Sequence, residues 1–93
     1  MGKYSLVLSN EAKEHLRIWH RSGDKAAIKR IEQIFVELAE HPQKGIGKPE
    51  RLKHQLSGLW SREIDKKNRI VYDIRDTEIA VYIVSAKGHY TDK

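Results

Sequence analysis

The sequence contains no cysteine and no long apolar segment. Without cysteine there are no disulfides, no thiolate ligands for zinc and no cysteine nucleophile, and a reducing compartment suits such a chain. No apolar run approaches the roughly 18 residues of a membrane span, and the chain does not open on a basic and then apolar leader. We therefore predict a cytoplasmic protein with no membrane partner.

The chain is also short and only moderately apolar. Its 93 residues are enough for one domain with one core, and we assign residues 1–93 to that domain. Hydrophobic residues make up 39% of the sequence, and they include two Trp, four Tyr and many Ile, Leu and Val. Burial of these side chains is expected to offset chain entropy, so we expect a folded monomer.

Positive charge exceeds negative charge, and the excess is uneven. The formal net charge is +5, and residues 42–93 hold eleven Lys and Arg against seven Asp and Glu. The segment from Lys44 to Lys53 carries four basic residues and one acid, Glu50. Such a local field favours RNA, DNA or acidic protein segments, and a solvated basic loop is an equally good explanation of the composition.

The first half of the chain predicts a strand and a helical hairpin. Tyr4, Leu6 and Leu8 alternate with Ser5, Val7 and Ser9, which suggests a short strand. Ser9 and Asn10 offer helix caps, and apolar residues then recur with helical period until Ser22-Gly23 ends the first helix. A second amphipathic helix is predicted between a cap at Asp24 and a stop at His41-Pro42.

The second half predicts strands joined by short turns. The candidates are Leu52 to Leu56, Leu59 to Asp65, Arg69 to Arg75 and Glu78 to Ala86, the last apolar on both faces and therefore interior. This order indicates an α+β domain with a mainly antiparallel sheet. One sheet face is expected to pack on the helices, while the other carries Arg69 and the basic residues.

One long segment carries a recognisable pattern. The sequence GKPERLKHQLSGLWSREIDKKNRIVYDI, from Gly47 to Ile74, and the ending KGHY, from Lys87 to Tyr90, resemble the YoeB/Txe branch of the RelE/ParE toxin superfamily. The resemblance covers nearly the whole chain. It implies the RelE-like microbial RNase fold with a curved sheet, and a chain that is monomeric or dimeric when free.

The resemblance also assigns site residues. It makes Glu50, Arg69 and His89 catalytic, and it places Lys53 near the substrate phosphates. The residues predicted to bind RNA are Lys48, Arg51, Lys53 and Tyr90. Two features depart from the family pattern, namely Glu63 where a second arginine often follows WSR, and three residues after the His-Tyr pair. Both are expected to alter substrate affinity and neither touches a catalytic role.

These residue types suit cleavage of RNA without a metal. A carboxylate such as Glu50 can accept the proton of the attacking 2′-hydroxyl, and His89 can protonate the leaving 5′-oxygen near neutral pH. Arg69 would bind the nonbridging oxygens as negative charge accumulates on phosphorus. No histidine pair has zinc-like spacing and no acidic cluster suits magnesium, so we predict no metal and no cofactor.

The resemblance implies the toxin of a type II toxin–antitoxin system, a ribosome-dependent endoribonuclease that cuts mRNA in the ribosomal A site. Its partners would be mRNA, the ribosome and a cognate antitoxin of the YefM/Axe type. Two alternatives stay open: a non-catalytic RNA- or ribosome-binding module, and a gyrase-targeting toxin on the same fold. Taken without the resemblance, Glu50 is an ordinary solvated carboxylate and Arg69 a surface ion-pair partner.

Overall fold

The computed structural model of the protein describes residues 3–88 and confirms the predicted α+β fold. Among these residues no helix is long and apolar enough to cross a membrane. The elements in chain order are β1 (Ser5–Leu8), α1 (Asn10–Ser22), α2 (Lys25–Glu40), β2 (Glu50–Arg51), a 3-10 turn (His54–Leu56), β3 (Trp60–Glu63), β4 (Arg69–Arg75) and β5 (Ala80–Ser85).

Helix α1 begins and ends where the sequence predicts. The Ser9 hydroxyl accepts a hydrogen bond from the Ala12 N–H at 3.0 Å, which satisfies one free donor of the first turn. The same hydroxyl donates to the carbonyl of Val84 at 2.7 Å, so the cap also fastens α1 to β5. Gly23 ends the helix at φ +75°, a left-handed conformation that costs glycine little.

Helix α2 follows the same local rules. The carboxylate of Asp24 accepts from the Ala27 N–H at 3.0 Å, and the backbone N–H of His41 closes the last turn on the Glu37 carbonyl at 2.7 Å. Proline at position 42 then prevents a further helical turn. Both predicted helix ends are therefore confirmed.

Within residues 3–88 the five strands form one sheet in the order β1-β5-β4-β3-β2, where β1 and β5 are parallel and the other neighbouring strands are antiparallel. The predicted mainly antiparallel sheet is confirmed, and β5 is interior because it pairs with both β1 and β4. The register shifts between Val71, which pairs with Ser85, and Tyr72, which pairs with Ile83. Val84 is therefore the extra residue of a bulge in β5, where the strand bends and twists more strongly.

The helical hairpin covers one face of the sheet and encloses the core. Both helices contact β1 and β5, and the apolar positions of their inner faces interlock with alternate residues of the strands. The buried core cluster consists of Ala12, Trp19, Ala27, Ile31, Ile34, Leu38, Ile64, Ile70, Tyr72, Val81, Ile83 and Ala86.

The strand register assigns the neighbouring residues to two faces, since paired residues share a face and successive residues alternate. The helix face of β3 and β4 carries Trp60, Arg62, Ile70 and Tyr72. The opposite side, called the Arg69 face here, carries Glu50, Ser61, Glu63, Arg69 and Val71. The predicted position of Arg69 away from the helices is confirmed.

The predicted strand from Leu52 to Leu56 is wrong. The paired segment lies two residues earlier, at Glu50–Arg51, and His54–Leu56 forms a 3-10 turn. His54 adopts φ +55°, and the Leu56 N–H bonds to the carbonyl of Lys53 at 3.0 Å, so the backbone curls where a strand would continue. The alternate spacing of Leu52, His54 and Leu56 predicted a strand wrongly, because a run of only five residues is compatible with either a strand or a single turn.

Strand β5 begins at Ala80, two residues later than predicted, because the turn after β4 extends to Ile79. Ile79 has φ +52°, a region in which a β-branched side chain is strained. Its N–H donates to the Asp76 carbonyl at 3.2 Å, and its own carbonyl accepts from the Ser5 N–H at 3.0 Å. Pairing with the start of β1 therefore holds this residue in an unfavourable conformation.

Replacing Ile79 with asparagine is expected to raise the free energy of unfolding by about 1 kcal/mol, measured by urea denaturation. Asparagine tolerates the left-handed region, and little burial is lost because Ile79 is 43% exposed. Val36→Asn is the matched control, since Val36 is 63% exposed on a regular helix and is not strained. An equal gain in both variants would show that backbone strain is not the cause.

Candidate active site

Glu50 and Arg69 are 19 positions apart in the sequence, and the sheet brings them together. Glu50 pairs with Ser61 across β2 and β3, and Ser61 lies diagonally beside Arg69 across β3 and β4. Arg69 Nη1 lies 3.5 Å from Glu50 Oε1 and 3.2 Å from Ser61 Oγ. The Glu50 side chain is 60% exposed and that of Arg69 20% exposed. A solvent-exposed ion pair contributes about 0–1 kcal/mol to stability. The stability of the fold therefore gives little reason for Glu50 and Arg69 to be placed together.

The backbone just before the predicted catalytic histidine lies beside Arg69. The Arg69 N–H donates to the Gly88 carbonyl at 2.9 Å, and the Gly88 N–H donates to Asn68 Oδ1 at 3.0 Å. Gly88 has φ +100°, which suits glycine and turns the chain at this point. The predicted site residues His89 and Tyr90 lie outside the described residues. The structure thus places two of the predicted catalytic residues, Glu50 and Arg69, in contact. It also brings Gly88, the residue before the third, to the backbone of Arg69.

A buried arginine on the other face holds the loop that leads to Glu50. Arg62 is fully buried, and its Nη1 lies 2.6 Å from Glu37 Oε1 on α2. Its Nη2 donates to the carbonyls of His41 at 3.2 Å and Lys44 at 2.8 Å. Arg62 therefore ties residues 41–46 to helix α2 and strand β3, and it fixes the start of the basic loop.

Tyr72 completes this buried network. Its hydroxyl accepts from Arg62 Nε at 3.2 Å and donates to the Pro42 carbonyl at 3.0 Å. Burial raises the pKa of the Tyr72 phenol, while the nearby Arg62 charge acts in the opposite direction. The phenol thus stays protonated and keeps its donor for Pro42.

The loop next passes directly against β3 at Gly47. The Gly47 carbonyl accepts from the Glu63 N–H at 2.6 Å, and a Cβ on Gly47 would lie 2.9 Å from the Glu63 carbonyl oxygen. A side chain at position 47 would therefore force the two backbones apart. The glycine of the GKPE segment is needed for this close approach, which sets where Lys48 and Glu50 emerge.

The structure distributes the predicted RNA-binding residues over more than one side of the sheet. Lys48 and Lys53 are exposed, and Lys48 adopts φ +52°. Arg51 is paired with Trp60 on the helix face, and its guanidinium carbon lies 5.8 Å from the centre of that ring. Arg51 is therefore separated from Glu50 by strand alternation. Tyr90 is not described.

Glu63, which departs from the family pattern, lies directly opposite Arg69 in the β3–β4 register. A carboxylate at this position lowers the positive potential at the candidate site by ordinary charge compensation. Whether Glu63 alters substrate affinity, as the sequence predicts, stays a prediction.

Several residues that shape the site had no assigned role in the sequence. Ser61 contacts Arg69, Arg62 holds the loop and Asn68 binds Gly88. The signal for the first two was their place in the WSR motif, while Asn68 looked like an ordinary turn residue. Within residues 3–88 no group of three or more His, Cys, Asp or Glu side chains is arranged to hold a metal ion.

With this geometry established, comparison with known proteins decides the family. Residues 8–90 match the profile of the YoeB-like toxin of bacterial type II toxin-antitoxin systems. The chain belongs to this family. The matched range contains Glu50, Arg69, His89 and Tyr90, and it ends before the last three residues.

Individual relatives agree with the family match. The chain is 42% identical over 84 residues to the toxin YoeB of Synechocystis, an alignment that spans 90% of this chain and 95% of the relative. A YoeB/ParE toxin from Agrobacterium tumefaciens has the same fold with a TM-score of 0.85 at 28% identity, over 92% of this chain and 99% of that one.

A third relative was solved with its partner. The toxin in a heterotetrameric YoeB-YefM toxin–antitoxin complex from Staphylococcus aureus is 33% identical to this chain, with a TM-score of 0.77. The match covers 94% of this chain and 98% of the Staphylococcus aureus chain. These similarities extend over the strands and the helical hairpin together, so the predicted YoeB/RelE-like fold is confirmed.

Proposed function

We propose that this toxin is a ribosome-dependent endoribonuclease that cuts mRNA in the ribosomal A site. The observation that carries the proposal is the contact of Glu50 with Arg69 on a sheet face away from the helices, with Gly88 hydrogen-bonded to the Arg69 backbone. A base, a cation and the point where the chain leads into His89 thus converge at one place. A binding module that only attracts phosphates has no need of the carboxylate.

In the proposed reaction, the 2′-oxygen of the nucleotide attacks the adjacent phosphorus while Glu50 accepts its proton. Arg69 binds the nonbridging oxygens with Nε and Nη2, the edge that the contacts to Glu50 and Ser61 leave unused. The P–O5′ bond then breaks, and His89 donates a proton to the departing O5′. The products are a 2′,3′-cyclic phosphate and a 5′-hydroxyl end. Each proton transfer is expected to contribute roughly 10²–10⁴ in rate.

A ribosomal target is consistent with how open the site is. The Glu50 side chain is mostly exposed and lies in a two-residue edge strand, so the protein by itself provides little enclosure for a substrate. We propose that ribosomal RNA around the A site supplies the rest of the enclosure and presents the mRNA in a geometry that allows cleavage.

The test is to incubate the protein with programmed ribosomes and with the same mRNA free, and to map the 5′ ends of the fragments. The proposal expects fragments with 5′-hydroxyl ends at A-site codons, from ribosome-bound mRNA only. Binding to ribosomes without fragments would favour the non-catalytic RNA-binding module. Inhibition of DNA gyrase without either would favour the gyrase-targeting alternative.

Affinity for ribosomes is expected to fall as salt rises, because exposed lysines of the loop would neutralise phosphates and release counterions. Replacing Lys48 and Lys53 together should remove about two phosphate contacts. The slope of log affinity against log salt should then become less steep by roughly 0.7–0.9 for each lost contact. Lys13 and Lys29, exposed on the helices, make the matched control pair. If replacing the loop lysines and replacing the control lysines changed the slope equally, this assignment of the binding surface would be contradicted.

We also propose a cognate antitoxin of the YefM/Axe type, as the Staphylococcus aureus relative has in its complex. An acidic, partly apolar segment that folds on binding would neutralise the charge around Arg69 and block access to Glu50. Expression of this chain alone should arrest growth and translation, and coexpression of the neighbouring small gene should restore both. A harmless chain with no partner among adjacent gene products would contradict this part of the proposal.

A further inference from the structure

The backbone of residues 86–88 is bound by three side chains outside the pair of Glu50 and Arg69. The Ala86 N–H donates to His15 Nδ1 at 3.1 Å, and the Ala86 carbonyl accepts from Trp19 Nε1 at 2.7 Å. The Gly88 N–H donates to Asn68 Oδ1 at 3.0 Å. His15, Trp19 and Asn68 are together called the C-terminal clamp.

Two members of the clamp come from one face of α1. His15 and Trp19 are four residues apart, so their side chains lie one above the other along the helix. They provide an acceptor and a donor to the N–H and C=O of a single residue, Ala86, which is fully buried. Because an unpaired buried backbone group is costly, these two contacts fix the end of β5 against the helix.

The third member acts from the turn before β4. Asn68 Nδ2 donates to both carboxylate oxygens of Asp65, at 3.0 and 3.2 Å, which leaves Oδ1 directed at Gly88. The next residue, Arg69, binds the Gly88 carbonyl through its backbone N–H. Both backbone groups of Gly88 are therefore held, one by Asn68 in the turn and the other by Arg69, the first residue of β4.

We propose that His15, Trp19 and Asn68 are positioning residues, which hold the backbone of residues 86–88 beside Arg69 and act through it on the proposed proton donor, His89. This inference rests on the proposed function. A proton donor must lie within about 2.6–3.2 Å of the leaving oxygen, and a displacement of about 1 Å can lower a rate by roughly 100-fold. None of the three touches substrate. They act through the backbone that leads into His89.

The decisive substitution is at His15. His15→Leu removes the acceptor for the Ala86 N–H and is expected to lower kcat for ribosome-bound mRNA by about 10- to 100-fold with KM unchanged. His15→Asn should restore most of the rate, because its Oδ1 can occupy the place of Nδ1. His20→Leu, an exposed position on the same helix, is the matched control and should leave kcat unaltered.

A double-mutant cycle separates positioning from general destabilisation. In a His89→Ala background, His15→Leu should lower the residual rate by less than about twofold, since there is no longer a proton donor to misplace. The same fold loss with and without His89 would overturn the inference, and so would an unchanged kcat in the His15→Leu protein.

Amide hydrogen exchange tests the clamp without reference to cleavage. In the free protein, His15→Leu should speed exchange at Ala86 and Gly88 but not at Ile70 in β4, and His15→Asn should not. Uniform exchange rates across the variants would overturn the clamp itself. A wild-type protein that does not cleave would instead overturn the proposed function and the positioning role built on it, while the exchange result would still decide the clamp.

Discussion

Arg69→Ala is expected to lower single-turnover cleavage of ribosome-bound mRNA by at least about 100-fold, and His89→Ala by a similar factor. Arg69 is the cation that the sheet places beside Glu50, and negative charge on the phosphorane is greatest in the transition state. Loss of its guanidinium therefore affects the barrier more than binding of the ground state. Glu50→Ala should cost less if solvent or the ribosome also accepts the proton of the 2′-hydroxyl.

The measurement is cleavage at saturating toxin, with folding checked by circular dichroism and thermal unfolding. Arg75→Ala is the matched control, because Arg75 lies on the same strand but pairs with Asp73 and Glu78 away from Glu50. Equal losses in the Arg69 and Arg75 variants would point to general charge effects. Cleavage at the wild-type rate in either the Arg69→Ala or the His89→Ala protein would remove that residue from the mechanism.

Arg62→Ala is expected to lower the free energy of unfolding by about 3–5 kcal/mol, a large part of the 5–15 kcal/mol typical of a small domain. The substitution leaves Glu37 with an uncompensated charge that is only 24% exposed. It also strips partners from Tyr72 and from the carbonyls of His41 and Lys44. Urea denaturation should show this loss directly.

The control is Arg17→Ala, which removes an exposed arginine from an ion pair with Glu14 on α1 and should change stability by less than about 0.5 kcal/mol. Combining Arg62→Ala with Glu37→Gln should recover part of the loss, because the unpaired charge is then absent. An Arg62→Ala protein as stable as the Arg17→Ala protein would show that the buried network does not hold the loop.

The sequence by itself determined the helices and the longest strand of the sheet. Their signals are local, since a serine, a glycine or an aspartate caps a helix using groups three or four residues away. Strand β4 was predicted to the residue, because seven alternating positions between two clear turns admit few other conformations.

Shorter segments depended on their tertiary surroundings. The run from Leu52 to Leu56 is too short for its periodicity to distinguish a strand from a turn, and contacts with Leu59 and Lys53 decided the outcome. Strand alternation puts Val71 on the face that carries Arg69, away from the helices, yet Val71 is only 1% exposed. Burial is a property of what packs over a residue, and alternation alone cannot reveal it.

The candidate site, too, was partly predictable from the sequence and partly decided by the tertiary structure. Motif resemblance predicted Glu50, Arg69 and His89 as catalytic residues. Whether Glu50 reaches Arg69 depends on the register of two strand pairs, and a shift of one residue would put Glu50 on the other face. The contacts that the supporting residues make could not be read from the sequence, although Ser61 and Arg62 stand in the WSR motif. His15 meets Ala86 across 71 positions and Arg62 meets Glu37 across 25. Hydrogen bonds over such separations exist only after the hairpin has packed on the sheet, because only then do their donors and acceptors lose water and come within reach of one another.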